Sequence, residues 1–235
     1  MSVCVYNLVL ELTRKCNAKC IHCLRGNAQN LTMSQEVVDA VFSKIDRVSA
    51  LTLTGGEPSL AVSVMKKIVE AIRNYRTEVE SFFVVTNGKI ASRSMMHALV
   101  DLYTLIDNSE PEMTGLVVSG DPYHEEVEVP KIYQALTFFR PERHGPTKNE
   151  YVIREGRAEF NGIGGRDPEK NEGWTIRRYN DSVDISEGEF YVAANGNVVS
   201  CCDLSYARID AERFGNILTD DIETIIKNSG SKEED

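Results

Sequence analysis

The sequence predicts an α/β fold built from parallel βα units, and three observations lead there. Short runs rich in β-branched and apolar residues alternate with segments whose apolar residues recur at helical spacing. The chain has 235 residues, 42% of them hydrophobic, which suits one domain with a full core or one domain with a small appendage. The residues able to do chemistry fall just past the ends of the apolar runs, where parallel α/β folds place their sites.

Composition narrows the function. Lys and Arg number 26 against 36 Asp and Glu, a net charge of −10, which argues against nucleic acid as a partner. No run reaches the roughly 18 to 20 apolar residues that a membrane span needs. Glu11 and Arg14 interrupt the N-terminal apolar run too soon for a signal peptide. Six cysteines, three of them on one loop, fit a reducing cytoplasm. The tail, residues 229–235, reads as solvated and disordered.

In chain order, Val3 to Leu12 reads as a strand buried on both faces. Cys16, Cys20 and Cys23 follow in C-x₃-C-x₂-C spacing. Three thiolates on one loop can hold three irons of a [4Fe–4S] cube and leave the fourth iron without a protein ligand, whereas a ferredoxin-type site uses four. A zinc site drawing on His22, or unligated thiols, are the other readings of the spacing. Thr32 to Gln35 can form a capping box, and Val37, Val38, Val41, Ile45 and Val48 predict a helix over 34–48. Ala50 to Thr54 is a second strand, ended by Gly55-Gly56-Glu57-Pro58. The two glycines permit positive φ and close approach of a ligand, and also suit an ordinary tight turn.

Met65, Ile68, Val69 and Ile72 mark a helix over 62–76. Ser81 to Thr86 is the third strand, stopped by Asn87-Gly88, a common turn pair. Met95, Met96, Leu99, Val100 and Tyr103 line the next helix, the methionines as core filler. Gly115 to Ser119 is the fourth strand. Ser119 and Asp121, two apart, share a face, and hydroxyl with carboxylate suits a ribose diol. His124 is a loop histidine, either solvated, capping a helix or touching a ligand. Pro130 to Phe139 continues as helix, and Tyr151 to Arg154 as a fifth strand. Residues 166–181 carry no clear element beyond a lone Trp174. Glu189 to Ala194 and Val198 to Cys202 form a hairpin across Asn195-Gly196, and a short helix near Asp221 to Lys227 closes the chain.

The cysteine spacing after a first strand, followed by Thr54-Gly55-Gly56-Glu57-Pro58 after a second, resembles the radical S-adenosylmethionine (SAM) superfamily over at least residues 3–157. The resemblance implies a partial (β/α)₆ TIM-type barrel over residues 1–165. It implies one [4Fe–4S] cluster on Cys16, Cys20 and Cys23, with SAM on the open iron. Reductive cleavage of SAM then yields a 5′-deoxyadenosyl radical that abstracts hydrogen from substrate. Gly55, Gly56, Glu57 and Pro58 would bind the SAM amino group, Thr86 and Asn87 would face SAM, and Ser119 and Asp121 would hold the ribose. Arg154 or Arg157 would clamp the SAM carboxylate, though each also suits an ordinary surface arginine, and His124 would face SAM or substrate. An electron donor such as flavodoxin or ferredoxin is implied as a partner.

The hairpin with Phe214-Gly215-Asn216-Ile217 resembles the C-terminal extension called SPASM or twitch, here residues 166–228, a small β-hairpin/helix unit. Such extensions usually hold auxiliary clusters. Cys201 and Cys202 are adjacent and point to opposite faces of a strand, so none is expected here. The substrate expected from the resemblance is a peptide. The alternatives are a small metabolite or nucleotide, a partner protein receiving a glycyl radical, and a non-catalytic cluster- or SAM-binding sensor.

Overall fold

The computed structural model describes residues 2–106, 113–145 and 148–234, with backbone only for 142–144. Strand β1 (Ser2–Glu11) is its spine. On one side β1 pairs in parallel with β2 (Arg47–Thr54), followed by β3 (Glu78–Thr86), β4 (Gly115–Ser119) and β5 (Phe139–His144), all parallel and in chain order. On its other side β1 pairs in parallel with β7 (Ser182–Glu187) through its first half and with β8 (Phe190–Val192) through its second. The antiparallel strands β9 (Asn197–Val199) and β10 (Gly215–Asn216) extend that side. The path ends at β5 on one edge and β10 on the other, so the sheet is largely parallel but not closed into a barrel.

The two faces of the sheet separate by the period of two. Leu8, Leu10, Leu51, Leu53, Phe82, Val84, Leu116 and Val118 are fully buried in the main core. That core also takes apolar residues of α1 (Gln35–Phe42), α2 (Val62–Tyr75) and α3 (Arg93–Leu105). Asn7, Val9, Thr52, Thr54, Phe83 and Val85, on the alternate positions, line a cavity instead. Strand β1 is therefore not buried on both faces throughout: Tyr6 is exposed, and only its last four residues are buried together.

Several expected elements are corrected. Helix α1 stops at Phe42, not at 48, because Asp46 and Val48 are drawn into the ladder: Asp46 N–H bonds Val3 C=O and Glu78 N–H bonds Asp46 C=O. The Pro130 segment gives one turn, α4 (Lys131–Gln134), and Phe139 opens β5. Tyr151 to Arg154 is not a strand. Asn149–Tyr151 is a 3₁₀ turn, Ile153 makes a lone bridge to Arg166, and α5 (Gly156–Phe160) follows. The fifth strand, Phe-Arg-Pro-Glu-Arg-His, is hidden in the sequence because it carries Pro141 and charge, which only an edge strand tolerates.

The stretch 166–181, featureless in the sequence, contains β6 (Thr175–Tyr179), antiparallel to β7. Trp174 anchors it: the ring is buried, stacks on Phe190 at 5.1 Å and donates to Glu189 C=O at 2.9 Å. The tail is not a solvated coil over 229–234. After α6 (Tyr206–Ala211) and α7 (Ile222–Ser229), β11 (Lys232–Glu233) pairs with β6, and Arg178 bonds Glu233 at 2.9 Å while Arg177 bonds Glu234 at 2.8 Å. Asp235 lies outside the described residues.

One ionic network crosses the sheet. Arg14 is 1% exposed. Its Nε donates to Glu11 at 2.8 Å, and its Nη1 and Nη2 grip Asp210 at 2.7 and 2.9 Å. Glu11, fully buried, also accepts from Tyr191 Oη at 2.8 Å and Ala194 N–H at 3.0 Å. Burial works to raise the Asp210 carboxyl, but bonds from Arg14 and Asn195 outweigh it and hold it below its ordinary value. Removing one partner strands a buried charge. Arg14→Met is therefore expected to cost about 3–5 kcal/mol in urea unfolding, against less than about 1 kcal/mol for Arg47→Met at the exposed Arg47–Glu80 pair. The depressed Asp210 contributes stability above the ordinary carboxylate pKa and loses it as pH falls. The advantage of wild type over Asp210→Asn should thus shrink below about pH 4. Equal costs for the two arginine substitutions would contradict this assignment.

Candidate active site

The cysteine loop leaves the end of β1 and is held from several directions. Arg157 Nη2 donates to Lys19 C=O at 2.7 Å, Arg157 N–H to Cys23 C=O at 2.9 Å, and Asn161 Nδ2 to Ile21 C=O at 2.9 Å. From the β3 side, Asn87 Nδ2 donates to Asn17 Oδ1 at 2.8 Å. Cys16, Cys20 and Cys23 are half-buried free thiols, and all three line one cavity of about 460 Å³ at the C-terminal ends of the parallel strands. Burial raises Cys16, and burial with the neighbouring thiols pushes Cys20 up to about 11. Metal loading must displace these protons and so rises with pH.

The donor set fits a cluster better than a single ion. A zinc ion bonds sulfur at roughly 2.3 Å, which would bring its thiolates within about 4 Å of one another. Among the described residues, the one trio of possible ligands within 4.8 Å is His22, Asp121 and His124, not the cysteines. His22, the candidate fourth zinc ligand, is engaged with Asp121 and with the rings of Tyr123 and His124. Three separated thiols on one loop suit a polynuclear cube with one iron unclaimed.

The Gly55-Gly56-Glu57-Pro58 turn docks on the stem of this loop. A Cβ on Gly55 would lie 2.3 Å from Thr13 O, and one on Gly56 2.3 Å from Lys15 O. Gly55 also has φ +139°. The glycines thus admit backbone against backbone, with Gly56 N–H bonding Thr13 C=O at 2.6 Å and Glu57 N–H bonding Lys15 C=O at 2.8 Å. The Glu57 carboxylate is buried and occupied: Thr86 Oγ1 donates to it at 2.6 Å, Asn87 N–H at 2.8 Å and Ser59 N–H at 3.0 Å. Glu57, Thr86 and Asn87 therefore lock the ends of β2 and β3 together beneath the cavity. Pro58 is buried at the start of a 3₁₀ turn.

The remaining candidates divide. Ser119 and His124 line the cavity. Asp121 does not offer its carboxylate to a ribose: the side chain is fully buried, and Oδ1 accepts Tyr123 N–H at 2.8 Å and His124 N–H at 3.1 Å. Its turn overrides the strand alternation that would give it a shared face with Ser119. Arg154 is exposed and ion-paired with Asp167, outside the cavity. Arg157 braces the cysteine loop by its backbone and guanidinium and does not line the cavity. Neither sits at a strand end, because no strand exists there.

Sequence reasoning missed Arg25, the one arginine lining the cavity among the described residues; it donates to Leu204 C=O at 2.6 Å and lies 4.9 Å over the Tyr191 ring. Its place two residues after Cys23 was the available signal. Glu189 and Cys202 were also missed as cavity residues. Cys202 Sγ lies 3.1 Å from Glu189 Oε1, and burial with that carboxylate pushes its thiol far up. Cys201 and Cys202 lie past the end of β9 at Val199, not on a strand; Cys201 is buried in a small core with Val9, Tyr191 and Val199, against which Cys202 also packs, and burial pushes the Cys201 thiol up to about 12. Nothing but proximity in space joins these two to the N-terminal loop.

The model of the family "4Fe-4S single cluster domain" matches residues 8–128, and the chain belongs to that family. With the cysteine loop and the turn docked on it, it is a member of the radical SAM superfamily, whose cofactors are a [4Fe–4S] cluster and SAM. It is 35% identical over 88 residues to a probable GTP 3′,8-cyclase of Pyrococcus abyssi, covering 36% of this chain and 28% of that protein. It is 25% identical over 122 residues to the putative peptide biosynthesis protein YydG of Bacillus subtilis, covering 49% of this chain and 35% of that one. The matched segments thus span about a third of those relatives. In fold the chain is similar to a histidine-tagged anSMEcpe with bound AdoMet, with a TM-score of 0.56, 14% identity, and coverage of 96% of this chain and 81% of that one.

The docking of turn on loop makes a direct forecast. Gly56→Ala drives a methyl into Lys15 O and should destabilise the fold by about 1–3 kcal/mol, with less iron retained per chain after anaerobic reconstitution. Wild-type iron and stability in that variant would show that the turn does not support the cysteine loop.

Proposed function

We propose that this chain cleaves SAM reductively at a cluster on Cys16, Cys20 and Cys23 and uses the resulting radical on a peptide. The observation that carries the reading is three free thiols sharing one cavity mouth with the ends of β1 to β4. When bound, the cluster supplies the electron that breaks the C5′–S bond of SAM. The chain's own residues orient and enclose. Thr54, Gly55 and Gly56 offer backbone groups at the cavity wall, where the SAM amino group would sit. Arg25 takes the role that the family resemblance gives to Arg154 or Arg157, as the cation facing the SAM carboxylate. Ser119 and His124 also line the cavity, where Ser119 would take the ribose and His124 would face SAM or substrate, as the resemblance implies.

The lining favours a peptide over a nucleotide triphosphate. Glu57, Glu189 and Asp203 line the cavity against a single arginine, a poor setting for a polyanion. The likeness to the peptide biosynthesis protein supports the same class. The likeness to the GTP cyclase keeps a nucleotide as the second reading. Residues 166–228 would act as a SPASM/twitch-like cover without an auxiliary cluster, since Cys202 lines the cavity while Cys201 is buried in the core beside it. Flavodoxin or ferredoxin would donate the electron. Six free cysteines suit a reducing cytoplasm, and no described helix is long and apolar enough to cross a membrane.

Anaerobic incubation of reconstituted protein with SAM and dithionite should release 5′-deoxyadenosine, with about four irons per chain. Cys16→Ala, Cys20→Ala and Cys23→Ala should each abolish release, and Arg25→Gln should raise the SAM concentration needed for half-maximal release by about tenfold or more. Mass spectrometry with candidate peptides then reads the product. Undiminished release in any cysteine variant would refute the assignment, and about eight irons per chain would refute the absence of an auxiliary cluster.

A further inference from the structure

A second group of side chains beside the cysteine loop is arranged for a cation. Ring nitrogens of His22 and His124 and a carboxylate oxygen of Asp121 all lie within 4.8 Å of one another. Asp121 Oδ2 is 2.9 Å from His124 Nδ1 and 3.6 Å from His22 Nε2. The Asp121 side chain is 0% exposed. Its Oδ1 is satisfied by two backbone N–H groups, but its Oδ2 accepts no hydrogen bond. His22 Nδ1 and His124 Nδ1 are also buried without a hydrogen-bond partner. A carboxylate oxygen and a ring nitrogen that face each other at 2.9 Å, buried and without a hydrogen bond, are rare, because an unmet polar group costs about 1–3 kcal/mol. Gly145 keeps room beside the carboxylate: a Cβ there would fall 2.4 Å from Asp121 Oδ2.

A metal ion draws these three side chains into one set of ligands. Zinc bonds imidazole nitrogen and carboxylate oxygen at roughly 2.0–2.2 Å, so neighbouring ligand atoms in a tetrahedral site sit about 3.3 Å apart. The two contacts to Asp121 Oδ2 straddle that spacing. We propose that His22, Asp121 and His124 bind one first-row divalent metal ion, with zinc as the species that fits. The donor set of two imidazoles and one carboxylate leaves a coordination position open. His22 and His124 line the cavity, so that position faces whatever fills it and would take a water or a ligand oxygen. The site shares no ligand with the three thiols and does not depend on the proposed peptide chemistry.

The test uses the reconstituted holoprotein, whose thiols are occupied by iron, dialysed against micromolar zinc and desalted before metal analysis. About one zinc per chain is expected, with zinc-edge X-ray absorption showing nitrogen and oxygen at roughly 2.0–2.1 Å and no sulfur shell near about 2.3 Å. Asp121→Asn and His124→Gln should each retain about tenfold less zinc with iron content unchanged. His124→Gln leaves the Asp121 turn intact and decides the matter if Asp121→Asn disturbs folding. Negligible zinc on the wild type, equal retention in wild type and His124→Gln, or a sulfur shell at the zinc edge would each overturn the proposal.

Discussion

The buried guanidinium of Arg14 ties the two halves of the chain together. It lies two residues before Cys16, the first thiol of the C-x₃-C-x₂-C loop, and its partners Glu11 and Asp210 come from opposite ends of the sequence. Such a network forms only when α6 and the β8–β9 hairpin are in place, since Tyr191, Ala194, Asn195 and Asn197 complete its hydrogen bonds. The position of the cysteine loop is thus set partly by the C-terminal third. A loop proposed to hold a cube with one corner open would gain from rigidity, because the loop and not the metal would then decide where the open corner points.

The same economy governs the rest of the cavity. Glu57 has the look of a ligand-binding carboxylate but joins β2 to β3, and the glycines beside it serve the contact between two backbones. What remains available to a ligand is backbone at the strand ends, Arg25, the carboxylates of Glu189 and Asp203, and an inner face of β1 to β3 that mixes Asn7, Thr52 and Thr54 with Val9, Phe83 and Val85.

Much of this was legible in the sequence for physical reasons. Strands β1 to β4 stand out because each is apolar and ends in glycine, serine or cysteine chemistry, and the thiol spacing is a local property of one loop. The hairpin across Asn195-Gly196 was legible because Gly196, at φ +85°, satisfies a turn that few other residues allow. What could not be read depends on neighbours far along the chain. Edge strand β5 carries proline, and β6, whose outer neighbour is only the two-residue β11, carries arginine. The tail folds back through its backbone ladder with β6, where Arg177 and Arg178 also meet its glutamates. Arg154 and Arg157 belong to a segment where tertiary packing replaces the expected strand end with a short turn and helix. Arg25, Glu189 and Cys202 share a cavity wall with no pattern in sequence to say so.

The claim that matters most is that one iron of the cluster is left open for SAM by a loop supplying only three thiolates. Electron paramagnetic resonance of the dithionite-reduced, reconstituted protein reads this directly, recorded with and without SAM. A shift of the cluster's signal on adding SAM, absent when buffer alone is added, is the result this account predicts. A reduced cluster whose spectrum is indifferent to SAM would mean that all its irons are already coordinated, and would contradict it.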